Sequence, residues 1–411
     1  MKKRILALIA MVLCLTMLTA CGGGATGGNE GGENQPAASG EMKSMKIGFA
    51  TNSVGEAFVQ MKKAFDEEIG PALNIEFMYS EEIKDAGALT TFIENAYAAG
   101  CDGIICNYSN SNDQGAALCN DLGMYFVGIA SADPKENTTM PYYVSTTGAS
   151  AAGYGESYAD AINAIVGDGE EHSIIILTGA ACYGATSAIE GSAGTLRALQ
   201  DIYGLTYDVS PDELALVSVQ TDATNDKGVK ITIVPGMSDL ATMVSPLLQT
   251  GEYDVVVGTN DVYSNLNVAI SEVETALGMN IKMVSKNAFS DTIGKAINST
   301  DSTGAQTVDG VVCDGTFERI AAVIVLRNAF DGYAEQMRNG ENCSRIPGMR
   351  PLVVTTAEEY NFLAGSEIPY SFVTVEDVLS LCCAKNPEIT WEDIDAFGSN
   401  LTTENIMAKF G

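Results

Sequence analysis

Short apolar, β-branched runs alternate with longer segments of helical period along most of the chain, and this alternation constrains the fold more than any other feature. Residues 45–51 predict a strand, and Phe58, Met61, Phe65 and Ile69 after it lie on one face of a helix. Further strands are predicted at 74–79, 103–106, 125–129, 142–145, 173–177, 230–234, 255–258, 281–285 and 308–313. Apolar strands separated by helices indicate parallel sheets covered on both faces. We therefore expect an α/β protein with two doubly wound parallel-sheet lobes.

The amino-terminal segment has the pattern of an export signal. Basic residues at positions 2–4 precede an apolar run at 5–17, and the run ends at Leu18-Thr19-Ala20-Cys21. The apolar run is too short to cross a bilayer comfortably, and the order of charge, apolar core and small residues is typical of a secretory signal. With Cys21 after it, the segment resembles the lipobox of bacterial lipoproteins. We predict a signal peptide over 1–20 and a lipidated Cys21 that anchors the protein outside the cell membrane.

Composition separates a spacer from the globular body and excludes one class of partner. Residues 21–44 are rich in Gly, Asn, Glu and Ala and contain no aromatic residue, so they predict a flexible tether of roughly 25 Å. The formal net charge of the whole chain is -31. Such an acidic protein is repelled by phosphate backbones, so we expect no nucleic-acid partner.

The cysteines of the body are predicted to be mostly free thiols. Four of them lie in or beside apolar, strand-like runs, where a thiol behaves as a small hydrophobe: Cys101, Cys106, Cys182 and Cys313. Cys382 and Cys383 are adjacent and cannot bridge each other without strain. The spacings do not match a zinc site, and no metal is expected.

Polar and aromatic side chains follow several of the predicted strands. In a doubly wound sheet a ligand binds beyond the carboxyl ends of the strands. The residues at those ends that can hydrogen-bond or stack on a solute are Asn52, Ser53, Phe58, Asn107, Tyr108, Tyr183, Asn260, Asp261 and Asn287. Loop tops favour Asn and Ser for turn geometry as well, so any one loop has a structural explanation. Their joint position at strand ends favours a binding site.

Several stretches together resemble the ribose/galactose-type (type 1) periplasmic binding proteins, whose fold is shared with lac-repressor-like core domains. They are 46–50, 99–107, 254–261, 311–314 and 351–356. The resemblance implies two lobes that close on a ligand and are joined by three crossings, near Thr147, Cys313 and Pro351. It implies a first lobe of 45–148 plus 314–350 and a second lobe of 149–313 plus 351–411. The stretch 360–411 extends beyond the usual end of the family, and we expect its Trp391 to pack on the second lobe.

The resemblance also implies a pocket. It would contain Asn52 or Ser53, together with Phe58, Asn107 and Asn260. Sugar binders carry charged or amide groups where this chain has Ser131, residues 189–191, Asn287 and Cys313. Charged, bidentate groups give such sites their discrimination, so these departures argue against a simple pentose or hexose.

The function implied is that of a monomeric, extracytoplasmic solute-binding lipoprotein of an ABC importer. It would capture a small polar solute (sugar-like, a polyol or a nucleoside) and deliver it to the membrane permease, without a cofactor. One alternative is a sensor that presents its closed form to a membrane receptor. A remote alternative is a secreted enzyme, but nucleophile elbows, metal-ligand clusters and phosphate-binding glycine loops are missing from the sequence. The single histidine, His172, is expected to be an exposed loop residue.

Overall fold

The computed structural model of this protein describes residues 42–411. The predicted signal peptide, Cys21 and nearly all of the predicted tether lie outside the described residues. Among the helices that are described, none has the length and apolar character needed to cross a membrane.

The helices and strands follow one another in an α/β order. From 45 to 147 they are β1 (Met45–Thr51), α1 (Glu56–Ala64), α2 (Gly70–Leu73), β2 (Ile75–Glu82), α3 (Ala86–Ala98), β3 (Gly103–Asn107), α4 (Asn112–Leu122), β4 (Tyr125–Ile129) and β5 (Tyr143–Thr147). A π-helical turn, Phe65–Ile69, joins α1 to α2.

A second series runs from 151 to 313. It contains α5 (Ala151–Val166), β6 (Ile174–Leu177), α6 (Thr186–Tyr203), α7 (Pro211–Ala215), β7 (Thr221–Asp222), β8 (Ile231–Val234), α8 (Leu240–Leu248), β9 (Val255–Gly258), α9 (Val262–Leu277), β10 (Lys282–Lys286), α10 (Asp291–Ile297) and β11 (Gly310–Cys313). The remaining elements are α11 (Phe317–Asn328), β12 (Arg338–Asn339), β13 (Asn342–Ile346), β14 (Leu352–Val354), α12 (Ala357–Leu363), α13 (Val375–Ser380), α14 (Trp391–Ser399) and α15 (Thr403–Phe410).

These strands form two seven-stranded sheets. The first has the order β12-β13-β5-β4-β3-β1-β2 and the second β14-β11-β10-β9-β6-β8-β7. All neighbouring strands are parallel except β12 with β13, β11 with β14, and β7 with β8. The predicted α/β fold with two doubly wound lobes is therefore confirmed.

Both faces of each sheet are buried, as the uninterrupted apolar strands indicate. In the second sheet, Ile174 and Ile176 pack into one core cluster and Ile175 and Leu177 into another, on opposite faces. Successive side chains of a strand point to opposite faces, so an apolar run such as β6 requires helices on both sides. The helices begin at ordinary caps, such as Asp85, whose side chain accepts the amide of Ala88 at the start of α3.

The carboxyl-terminal helices do not pack where we expected. α14, which begins at Trp391, contacts β13 and α11 of the first lobe, and the Trp391 amide donates to the Gln336 carbonyl at 3.1 Å. The rings of Phe397 and Phe317 are 5.6 Å apart. The expectation that Trp391 packs on the second lobe was wrong, because α14 completes an apolar surface that α11 presents. α15 then packs against α12 and β14, so the extension contacts both lobes.

Candidate functional site

Three crossings bring the carboxyl ends of both sheets together. β5 ends at Thr147, and α5 after it packs on β10, β11 and β14 of the second sheet. β11 ends at Cys313, and α11 after it packs on β3, β4 and β5 of the first. β13 ends at Ile346 in the first sheet, and the next strand, β14, lies in the second. Each of these crossings leaves the carboxyl end of a parallel strand, so the strand ends of both lobes face the same cleft, where α/β sheets bind ligands.

Asn260 follows β9, and the side-chain oxygen of this residue is available to accept a hydrogen bond. Its backbone oxygen accepts the amides of Val262 at 2.9 Å and Lys286 at 3.0 Å, which holds the residue at the strand end. Its side-chain oxygen Oδ1 is buried and has no hydrogen-bond partner among the described residues. Thr178 follows the neighbouring strand β6, and its side-chain oxygen Oγ1 is also buried without a hydrogen-bond partner among the described residues. A buried polar atom is costly unless a water or a ligand satisfies it, so these strand ends can bind a hydroxyl or an amide.

At the second crossing, which follows β11, the carboxylate of Asp314 makes polar contacts with two other side chains. Its Oδ1 accepts a hydrogen bond from the Tyr154 hydroxyl at 2.9 Å and lies 3.2 Å from Lys286 Nζ. Burial and the Asp314 carboxylate raise the pKa of Tyr154, so the hydroxyl remains a donor. Cys313, which we predicted to be the contact here, is fully buried, and burial raises the pKa of its thiol. Cys313 thus stays a prediction, and Asp314, next to it, is the residue of this crossing with polar side-chain contacts.

Two predicted residues lie in the exposed turn after β1. Asn52 and Ser53 are exposed, and the Ser53 carbonyl accepts the Thr51 hydroxyl at 2.7 Å. Phe58, on α1, is half-buried and meets the ring of Tyr79 edge-on at 5.7 Å. Phe58 therefore supports the wall of the first lobe and keeps part of its ring accessible.

Asn107, at the end of β3, is half-buried. The hydroxyl of the next residue, Tyr108, donates to the Lys84 carbonyl at 3.2 Å, so this tyrosine is tied to the loop after β2.

The loop after β4 has an ion pair beside it that the sequence did not reveal. Arg345, on β13, donates to the Ser131 carbonyl at 3.1 Å and to Asp133 at 3.2 Å. An acidic and a basic group thus lie beside the loop that contains Ala130 and Ser131. Arg345 was missed because β13, with its mixture of polar residues, does not have the pattern of a strand.

Three other predicted residues lie in the second lobe, and their side chains have different surroundings. Asp261 caps α9 by accepting the Ser264 amide at 2.8 Å. Asn287 accepts the Ser285 hydroxyl through its Oδ1. Tyr183 is 80 % exposed. The first two have local structural roles, and Tyr183 is free to contact a solute or a partner.

His172 lies at the amino end of β6, on the far side of the sheet from the cleft. It is buried, and its two ring nitrogens lie 2.7 Å from Asp254 and 3.1 Å from Asp168. The expectation of an exposed loop residue was wrong, because these two carboxylates hold the ring against the protein. Asp168, Glu170 and His172 are the group of described residues that could hold a metal ion. Asp168 is already bound to Lys282 at 2.9 Å, so we assign the group a structural role.

A cavity of about 710 Å³ opens beside Asp314. Its walls are the first turns of α1, the loop and helix after β10 (288–298), the crossing at 314–316 and the carboxyl-terminal segment 360–372. The predicted site residues are not among the described residues that line it, although Phe58, Asn287 and Cys313 adjoin lining residues in sequence. The sequence could not reveal this cavity, because nearly half of its lining comes from the segment beyond the family's usual end.

Comparison with known proteins gives a fold. No family model matches the sequence, and no curated protein does so either. Among solved structures, a periplasmic ribose ABC transporter protein from Conexibacter woesei has a TM-score of 0.53 at 13% identity, with 82% of this chain and 100% of that chain covered. A periplasmic solute-binding protein from Actinobacillus succinogenes with bound D-allose has a TM-score of 0.51 at 14% identity, covering 77% and 99%. A galactofuranose-binding protein has a TM-score of 0.50 at 14% identity, covering 78% and 98%.

Proposed function

We propose that this chain, whose fold is that of the type 1 periplasmic binding proteins, captures a small polar solute between its lobes and delivers it to an ABC importer. The observation that carries the proposal is the buried Oδ1 of Asn260 at the carboxyl end of β9, which has no hydrogen-bond partner within residues 42–411. It lies at the strand ends that face the three crossings, where Asp314 and Lys286 add charge.

The mechanism we propose is closure of the two lobes on the solute. Hinge closure needs contacts that form only in the closed state, because a ligand shifts a conformational equilibrium only by its differential affinity for the two states. The unpaired atoms of Asn260 and Thr178 belong to the second lobe, and Asn107 and the Arg345–Asp133 pair belong to the first. A solute that bridges these groups gains both sets of contacts only when the lobes close.

The chemistry of these groups favours a solute rich in hydroxyls. Amide, hydroxyl, carboxylate and guanidinium groups each bind hydroxyls directionally. Two of the similar structures are described as containing D-allose and as a galactofuranose-binding protein, which supports the same class. A sugar-like molecule, a polyol or a nucleoside fits this set of groups.

A thermal-shift screen tests the proposal directly. We expect one class among sugars, polyols, nucleosides and amino acids to raise the melting temperature of the purified protein, by an amount that grows with concentration. No shift with any class would contradict solute capture from these classes.

Asn260→Ala should weaken binding of the solute that the screen identifies. Loss of a polar contact costs about 1–3 kcal/mol, or roughly 5- to 150-fold in Kd, and calorimetric titration measures it. Asn280→Ala is the matched control, since Asn280 also has a buried Oδ1 without a partner among the described residues but lies before β10, at the opposite end of the sheet. Equal affinities of the two variants would place the binding site elsewhere.

We also propose that Cys21 carries the lipid that holds the protein at the outer surface of the cell membrane. Cys21→Ala should move the protein from the membrane fraction to the soluble fraction and leave solute affinity unchanged. Cys182→Ala, in the body, is the control that should remain with the membranes. Retention of the Cys21 variant at the membrane would contradict the lipid anchor.

A further inference from the structure

The carboxyl-terminal segment 355–373, from the start of α12 to the turn before α13, forms a wall of the 710 Å³ cavity. The other walls come from both lobes: Glu56, Ala57 and Gln60 from α1 in the first, and the start of α10 in the second. Asp314 belongs both to this cavity and to the cluster with Tyr154 and Lys286. The cavity is therefore a side compartment of the cleft.

The segment is fastened to the second lobe at its beginning. The Tyr360 hydroxyl donates to the Ser290 carbonyl and accepts the Ser290 amide, both at 2.8 Å. Asn361 and Asn298 exchange two side-chain hydrogen bonds at 2.8 and 2.9 Å. These contacts fix α12 against α10.

At its end the segment is fastened to the first lobe and to the second crossing. The Ser371 hydroxyl lies 2.9 Å from the Thr316 hydroxyl and 3.1 Å from the Thr316 carbonyl oxygen, and it hydrogen-bonds both. The Tyr370 hydroxyl accepts from Arg319 at 3.0 Å, and its ring meets Phe65 edge-on at 6.2 Å. The segment thus runs from lobe to lobe beside the crossing.

Its backbone is strained where it borders the cavity. Ser371 and Phe372 have φ values of 59° and 61°, in the left-handed region, although neither is glycine. Both are buried. Consecutive residues in this conformation persist only where the surroundings enforce it, and such strain concentrates at functional sites.

The lining determines which solutes the compartment accepts. Carboxylates outnumber cations, with Glu56, Asp291 and Asp314 against Lys295, so an anionic solute is disfavoured. The aromatic side chains on the lining are Phe289, Tyr360, Tyr370 and Phe372. Rings of this kind pack against the apolar faces of cyclic solutes, and the volume lies within the roughly 300–1,000 Å³ of sites that enclose whole small molecules.

We infer that the solute has two parts, and that the compartment walled by 355–373 holds the second. This rests on the proposed function: one ring binds between the strand ends, and a second ring or glycosidic group, neutral or cationic, enters beside Asp314. The solute class is an uncharged or amine-bearing disaccharide or glycoside.

The test is calorimetric titration of the full-length protein with single-ring solutes and with the neutral disaccharides and glycosides built from them. We expect a two-ring solute to bind at least tenfold more tightly than its single ring. Ala364→Trp, at an exposed position on the lining, should obstruct the compartment and reduce that advantage. Glu358→Trp, exposed on α12 and not among the lining residues, is the matched control.

A second pair of variants, on α1, keeps the test valid if substitution at Ala364 or Glu358 disturbs folding around α12. Ala57→Trp, on the opposite wall, should act like Ala364→Trp, and Val59→Trp, 61 % exposed on the same helix, should not. If single rings bind as tightly as two-ring solutes, or if neither lining variant differs from its control, the inference is overturned and solute capture stands. If no member of the panel binds, the inference is overturned, and the thermal-shift screen decides whether the proposed solute capture fails with it.

Discussion

Asp331→Ala is expected to lower the free energy of unfolding by about 3–5 kcal/mol, because it leaves a buried guanidinium without its counter-ion. Arg327 is fully buried in α11, and its Nε donates to Asp331 Oδ2 at 3.0 Å while its Nη2 pairs with the other oxygen. Its Nη1 donates to the carbonyls of Lys43 at 2.8 Å and Leu73 at 3.3 Å. One side chain therefore joins the start of β1, the end of α2 and the end of α11. The midpoint of urea unfolding measures the loss.

Two further variants test whether this loss comes from leaving a buried charge unpaired. Asp212 pairs with Arg197 at 2.7 Å but is 68% exposed, and Asp212→Ala should cost only about 0–1 kcal/mol. The double variant Arg327→Met with Asp331→Leu should recover part of the loss, since it removes both buried charges. A loss in Asp331→Ala no larger than in Asp212→Ala would show that the buried pair is not needed.

Glu318→Gln is expected to stabilise the protein at neutral and alkaline pH and to have little effect at acid pH. Glu318 lies in the first turn of α11, directly after the second crossing, and its side chain is 17% exposed. Burial raises its pKa to about 7 from 4.5, and the neighbouring Arg319 only partly opposes this rise. Between pH 4.5 and pH 7, the Glu318 carboxyl is therefore protonated in the folded protein and ionised in the unfolded chain.

The direction follows from the proton balance. Below about pH 4.5 the carboxyl is protonated in both states, so it does not affect stability. As the pH rises from 4.5 to 7 the folded state binds more protons than the unfolded state, and the free energy of unfolding falls by an amount on the order of 3 kcal/mol, then levels off. Glutamine is neutral throughout, so the variant escapes this fall.

Unfolding of both proteins at pH 5, 6, 7 and 8 measures the effect. Burial also raises the pKa of Glu274 to about 7 and of Asp309 to about 6, so the wild-type profile contains their contributions as well. The difference between wild type and Glu318→Gln cancels them. A difference that does not change with pH would mean that Glu318 is ionised in the folded protein throughout.

Most strands were predictable because their burial is visible locally. β1, β4 and β9 have the predicted bounds, and the other predicted strands differ by one to three residues. Each is an apolar run that only a doubly covered sheet can bury. β13 was missed because Asn342, Ser344 and Arg345 interrupt its apolar pattern. It joins the sheet by pairing with β5, about 200 residues earlier in the chain.

For the candidate site, the sequence predicted strand ends but not the contacts of the side chains there. Local pattern identified Asn260, and its free Oδ1 makes it the strongest of the predicted residues. Cys313 was included through the resemblance alone, and local pattern did not single out Asp314, whose contacts with Tyr154 and Lys286 join residues far apart in the chain. Local pattern also could not separate Asp261, which caps a helix, from residues that are free to bind.

The sequence by itself determined the two-lobed α/β fold and most of the strands, and it predicted the strand ends as the place where a solute would bind. These depend on the order and periodicity of nearby residues, which a chain shows without folding. Only the tertiary structure decided which polar atoms remain unpaired, that Arg345 reaches the loop at Ser131, and that the segment after residue 355 walls a cavity. Those facts depend on contacts between residues tens to hundreds of positions apart, and such contacts exist only once the sheets, crossings and carboxyl-terminal helices have packed.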